Sequence, residues 1–142
     1  MLRLAGLILA LGAGARAGEL RPFASKDLDA LMAGRRTVVI QFHAENCEVC
    51  VRQRQALARI ARGASRTDPV FLYAEHEREP DLRRQYGVTA LSTLLVLRGD
   101  RVLGRVTGIF AEEEIRAFIH LSRMRSRAKP RARPKASFRP ER

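Results

Sequence analysis

Cysteine is scarce in this chain of 142 residues: Cys47 and Cys50 are the only two, and both lie in the stretch HAENCEVC at 43–50. Two cysteines allow one disulfide, two legs of a metal site, or one dithiol. No glycine-rich phosphate loop is present and no paired-carboxylate signature. Phosphate cradling and two-carboxylate acid–base chemistry are therefore set aside, and the triplet Glu112-Glu113-Glu114 reads as a helix start. Acidic residues are few, 15 against 27 Lys and Arg, which gives a formal net charge of +12. That excess points toward acidic partners or an anionic membrane surface and says nothing about fold. Long apolar runs are missing too. The run from Leu4 to Ala13 falls short of the roughly 20 residues that span a bilayer, and no other stretch comes closer.

The start of the chain has a recognisable order. Arg3 precedes that apolar run, and small residues follow, ending Ala15-Arg16-Ala17. This is the order of a secretory signal, so residues 1–17 are expected to be a signal peptide cleaved after Ala17, an uncleaved anchor being the alternative. The mature protein is then periplasmic or secreted, where disulfides persist. Residues 18–122 form one domain. A domain of about 100 residues buries roughly two-thirds of its unfolded surface and needs no staples.

Within that domain the pattern alternates. SKDLDALMAG predicts a helix that Ser25 caps and Gly34 ends. TVVIQFH is an apolar, β-branched run of the buried-strand kind. CEVCVRQRQALARIARG has helical spacing, with Leu57, Ile60, Ala61 and Ala64 on one stripe and Gly63 as the stop. PVFLYA is a second strand, and EPDLRRQYG a short helix with Pro80 in its first turn. STLLVLRGDRVLGRVTG is a hairpin turning at Gly99-Asp100. AEEEIRAFIHLSRM closes the domain as a helix, its glutamates early and its arginines late. The order predicts an α/β fold: a mixed sheet of four main strands with helices on both faces. His76 and His120 stand alone, on expected surface or helix.

Residues 123–142 differ. They hold nine Lys and Arg, one Glu, three prolines and almost no large apolar residue. Such a segment buries too little to offset its ordering entropy, so a disordered basic tail is expected. It suits an acidic protein or anionic lipid, at about 1 kcal/mol per base near such a surface. Nucleic acid is not expected, since Phe138 is the only aromatic there.

The cysteines fall where a strand ends and a helix begins. Free amide groups at a helix start favour an anion, hence a thiolate. In a C-x-x-C so placed, the first cysteine attacks and the second, one turn inside, resolves the mixed disulfide. Cys47 and Cys50 take those catalytic roles. A purely structural disulfide over so short a loop would stabilise little.

The combination resembles the thioredoxin family. VVIQFHAENCEVC is similar to the strand leading into its W-C-G-P-C motif. EPDLRRQYGVTALSTLLVLRGDRVLGRVTG is similar to its Y-G-I-x-x-I-P-T-L segment and the glycine after the last strand. The resemblance runs from about Arg35 to Ile119 and implies the thioredoxin-like fold and thiol–disulfide exchange with protein partners. Departures stand out. Gln41 matches the family's buried acid, and an amide is no general acid or base. His43 and Asn46 match tryptophan positions. Ser92 matches the cis-proline facing the dithiol, and since a non-proline cis bond costs about 2.5–4 kcal/mol, a trans Leu91–Ser92 bond is expected. The residue before that proline pairs with substrate backbone like an added strand. Leu91 inherits that place, and Ser92 and Thr93 can donate toward Cys47, so the three form the expected substrate-binding set. Glu48 opposes a thiolate at Cys47, while Arg52 and Arg54 favour one if they reach it.

The leading expectation is an exported thiol–disulfide oxidoreductase that needs no cofactor and exchanges electrons with a membrane-embedded donor or acceptor. The alternative is a metal-binding protein or metallochaperone for copper, zinc or an iron–sulfur cluster, using Cys47, Cys50 and His43. A third possibility is a binding module worked by the basic tail.

Overall fold

The structure, a computed structural model, describes residues 18–127. The expected signal peptide and the tail beyond Arg127 lie outside the described residues. The elements run β1 (Leu20–Pro22), α1 (Ser25–Ala33), β2 (Thr37–His43), α2 (Glu48–Arg62), β3 (Val70–Glu75), α3 (Pro80–Tyr86), β4 (Thr93–Arg98), β5 (Arg101–Thr107) and α4 (Glu112–Arg127). Among the described residues no helix is long and apolar enough to cross a membrane.

One mixed sheet holds five strands in the order β1-β3-β2-β4-β5. The expectation of four is corrected by β1, which pairs parallel with β3 along Leu20–Pro22. Leu-Arg-Pro is too short to show alternation, and its proline is tolerable only at a sheet edge. β2 pairs parallel with β3 and antiparallel with β4, so the strand that carries the chain to the cysteines is central. β4 and β5 form the expected hairpin, with a register shift between Val96 and Leu97.

The alternation of β2 divides the core. Val38, Ile40 and Phe42 face α1 and α3, beside Leu28, Leu31, Leu72 and Leu82. Val39 faces α2 and α4, among Leu57, Ile60, Phe71, Leu94, Ile115 and Ile119. Each such side chain contributes about 1.5–3 kcal/mol on full burial. Gln41 shares the parity of Val39 and is fully buried on the α2 side.

The helix ends differ from expectation in two places. Ala24, not Ser25, is the cap residue of α1, with no side-chain bond. α4 continues to Arg127, into the segment assigned to the tail. Arg123, one turn before its end, donates to the Asp68 carboxylate at 3.3 Å and the Thr67 carbonyl at 3.3 Å. α4 also lies close over β5: a Cβ on Gly104 would run into Ser122 Oγ and the Phe118 ring. α3 starts on Pro80 and ends at Gly87, whose φ of 64° is the left-handed conformation that glycine adopts freely. That turn puts Val88 in the core and aims the chain at Leu91 and Ser92.

Candidate active site

β2 ends at His43, and the three loop residues 44–46 lead to Cys47 at the start of α2. Asn46 has a φ of 57°, a conformation that asparagine tolerates better than most residues. The turn makes Cys47 the N-cap of α2. Its sulfur accepts a hydrogen bond from the Cys50 amide at 3.2 Å. A backbone donor at a helix N-terminus stabilises negative charge on that sulfur. Cys47 and Cys50 are joined in a disulfide. Cys47 is partly exposed, whereas Cys50 is only 2% exposed. The asymmetry suits attack by the first sulfur and resolution by the second.

Ser92 faces both. Its Oγ lies 3.3 Å from Cys47 Sγ and 3.1 Å from Cys50 Sγ. No peptide bond among the described residues is cis, so Leu91–Ser92 is trans as expected, and Ser92 has a φ of 55°. Its carbonyl accepts from the Gly108 amide at 3.1 Å and from Gln53 Nε2 at 3.0 Å. Leu91, beside it, is 37% exposed. Thr93 turns its hydroxyl elsewhere. Its hydroxyl donates to the Ala90 carbonyl at 2.7 Å and meets Thr107 Oγ1 at 2.9 Å, because alternation along β4 turns it away from the sulfurs.

Behind the dithiol lies a buried amide pair. Gln41 Nε2 donates to the Cys50 carbonyl at 2.9 Å and to Gln53 Oε1 at 3.1 Å. Gln53 Nε2 donates to Ser92 as above and to the Ile109 carbonyl at 2.8 Å. Gln41 Oε1 is buried with no partner. Sequence reasoning singled out Gln41 and missed Gln53. The signal was available: Gln53 continues the buried face of Cys50, Leu57 and Ile60 at helical spacing, a polar residue on an apolar stripe.

The two arginines that could favour a thiolate make their contacts elsewhere. Arg52 does not reach the sulfurs; it pairs with Glu48 at 3.3 Å and lies over the Phe110 ring at 5.2 Å. It offsets the like charge that Glu48 brings to the helix start. Arg54 lies over the Tyr73 ring at 4.2 Å. His43 packs edge-on against the same ring, with centroids 5.6 Å apart. Burial first, then the Arg54 charge, lowers its pKa, so the imidazole is neutral at neutral pH. His43, Arg54 and Val51 line a cleft of about 640 Å³ that reaches Cys50. Among the described residues no group of three or more His, Cys, Asp or Glu could hold a metal ion, so the metal-binding alternative gains no third ligand. His76 is buried rather than at the surface, its Nδ1 2.8 Å from Glu77.

The family model for thioredoxin matches residues 21–121. The chain belongs to the thioredoxin family. Solved thioredoxin structures superpose on it. Trxlp from Edwardsiella tarda is 24% identical, with a TM-score of 0.63, covering 71% of this chain and 98% of its own. Thioredoxin f from spinach chloroplast is 20% identical, with a TM-score of 0.63 and coverages of 75% and 96%. Mitochondrial thioredoxin 3 from Saccharomyces cerevisiae is 19% identical, with a TM-score of 0.59 and coverages of 72% and 93%. At these identities the likeness shows the fold. No curated protein sequence matches the chain. Set on the thioredoxin fold, the departures fall together in space: the amide at the acid position, the serine at the cis-proline position and Gln53 form one hydrogen-bonded cluster around Cys50.

Proposed function

We propose that the protein is an exported thiol–disulfide oxidoreductase that exchanges disulfides with protein partners, Cys47 attacking and Cys50 resolving. The observation that carries this reading is the asymmetric pair at the start of α2, a partly exposed Cys47 with a backbone donor on its sulfur and a buried Cys50. Family membership supports thiol–disulfide chemistry. Export rests on the signal-like order of residues 1–17, and the compartment is the periplasm or the exterior. There the dithiol needs a membrane-embedded donor or acceptor to recharge it. The basic residues after Arg127 add a contact with an acidic protein or anionic lipid.

The test is mechanism-based trapping. Cys50→Ser should accumulate mixed disulfides with partner proteins and Cys47→Ser should not. If neither variant differs from wild type in trapping and in insulin reduction, the reading is wrong. Cell fractionation tests export: the chain should be recovered outside the cytoplasm and shortened after Ala17.

A further inference from the structure

Resolution of a mixed disulfide poses a proton problem. Cys50 must lose its proton to attack, and it is buried. Gln41, behind it, cannot accept one. The elements around the dithiol carry these charged and titratable groups: His43 on β2, Glu45 in the loop, Glu48, Arg52 and Arg54 on α2, and Glu112 on α4. Among the described residues none of these bonds either sulfur. Arg52 holds Glu48, and Arg59 and Arg116 hold Glu112.

One hydroxyl does reach both sulfurs. Ser92 is 6% exposed, and its Oγ has only Cys47 Sγ and Cys50 Sγ as partners. The backbone that places it there sits at a φ of 55°, which costs a residue with a side chain about 1–2 kcal/mol. Such a conformation persists because its surroundings impose it. Here the two bonds on the Ser92 carbonyl, from Gln53 and Gly108, do so. The scaffold thus holds an unfavourable backbone in place, and the hydroxyl it presents bonds only to the reacting sulfurs.

We propose that Ser92 relays the proton of Cys50 during resolution, in place of the family's buried acid. The proposal rests on the oxidoreductase reading above. In the reduced protein the hydroxyl donates to the Cys47 thiolate and accepts from the Cys50 thiol. In resolution, Cys47–S–S–R and Cys50–SH give the Cys47–Cys50 disulfide and R–SH. The Cys50 sulfur forms a bond to the Cys47 sulfur. The bond from Cys47 to the substrate sulfur breaks, and its electron pair leaves on the substrate. The Cys50 proton passes to Ser92 Oγ as the serine's own proton passes to the departing sulfur, so the serine ends unchanged.

The experiment loads Cys47 with a peptide thiol as a mixed disulfide and follows peptide release against pH. It compares wild type, Ser92→Ala and Ser92→Gly. Alanine keeps the backbone cost and loses the hydroxyl; glycine loses both. Both variants should release the peptide about tenfold more slowly at neutral pH, the value of one hydrogen bond to a charged group. The deficit should vanish at alkaline pH, where Cys50 ionises unaided. If Ser92→Gly releases as fast as wild type, or if the deficit is the same at every pH, the relay is overturned. Were His43→Asn to give the pH-dependent loss instead, the proton would leave through the imidazole and the assignment would fall. Wild type that never releases the peptide would overturn the oxidoreductase reading itself, a result distinct from the others. If Ser92→Ala does not fold, the strain-free glycine variant decides alone.

Discussion

Gln41 and Gln53 are both fully buried glutamines joined by one hydrogen bond, yet replacing each with leucine should have very different costs. Gln53 donates to Ser92 and Ile109 and accepts from Gln41. Gln53→Leu removes all three bonds, each worth about 1 kcal/mol net. The Ser92 carbonyl keeps its bond from Gly108, while the Ile109 carbonyl loses its side-chain partner. Buried leucine returns about 1 kcal/mol through apolar contact. The balance is a loss of roughly 2–3 kcal/mol. Gln41→Leu removes two donated bonds but also removes Oε1, which is buried without a partner. The relief is offset because Gln53 Oε1 loses its one donor, so two lost bonds against the leucine contact leave a cost of about 1 kcal/mol. Urea unfolding of the oxidised proteins measures the gap, which should appear as a lower midpoint for Gln53→Leu at an unchanged slope. In thermal melts about 2 kcal/mol corresponds to roughly 10 °C for a domain of this size. The double variant should reveal a coupling of about 1 kcal/mol from the shared bond. Equal losses for the two single variants, or a larger one for Gln41→Leu, would refute the reasoning, because Oε1 would then have a partner.

Gly104→Ala should cost about 1–3 kcal/mol, because the new Cβ meets Ser122 Oγ and the Phe118 ring. Adding Ser122→Ala should recover part of it by removing the colliding oxygen, itself buried without a partner, and a loss that Ser122→Ala leaves unchanged would count against this contact. The lowered pKa of His43 means that the folded chain binds fewer protons there than the unfolded chain. Stability from this residue is therefore whole above its ordinary 6.5 and is lost as pH falls through the folded value. His43→Asn should flatten the decline in urea midpoint below that pH, and an unaltered decline would contradict it. Gln41→Glu places a carboxyl against two acceptors, the Cys50 carbonyl and Gln53 Oε1. Burial raises such a group's pKa in the folded state, so this variant should lose stability as pH rises from about 4.3, opposite in sign to wild type near His43. Its urea midpoints across that range measure the slope.

Much of the fold was legible because its signals are local. β2 spans the TVVIQFH run, and the stops at Gly34 and Gly63 fall at the ends of α1 and α2. What escaped was decided at a distance. β1 is three residues that gain order only by pairing with β3. The start of α1 is set one residue earlier than the serine signal, where Phe23 donates to the Tyr73 carbonyl. Residues 123–127 have a composition that resists burial, yet Arg123 anchors them to Asp68 and Thr67. The cysteines, Gln41 and Ser92 were readable as positions. Which side chains they would meet was not: the bonds of Gln53 with Gln41 and with the Ser92 carbonyl join α2 to residues 12 and 39 positions away.

The departures from the thioredoxin pattern are best understood as one change. A serine held at a φ of 55° beside the dithiol needs its carbonyl fixed, and Gln53 fixes it from α2. Gln53 then turns an acceptor, Oε1, toward β2, where a carboxylate at position 41 would face it with like charge density. An amide at Gln41 supplies the required donor and uses the same nitrogen to hold the Cys50 carbonyl. The acid is therefore excluded by the residue that anchors the serine. With the acid gone, Ser92 is the group left within reach of the Cys50 sulfur. Restoring the acid or the proline singly would break the cluster; the ordinary family arrangement would return only if positions 41, 53 and 92 changed together.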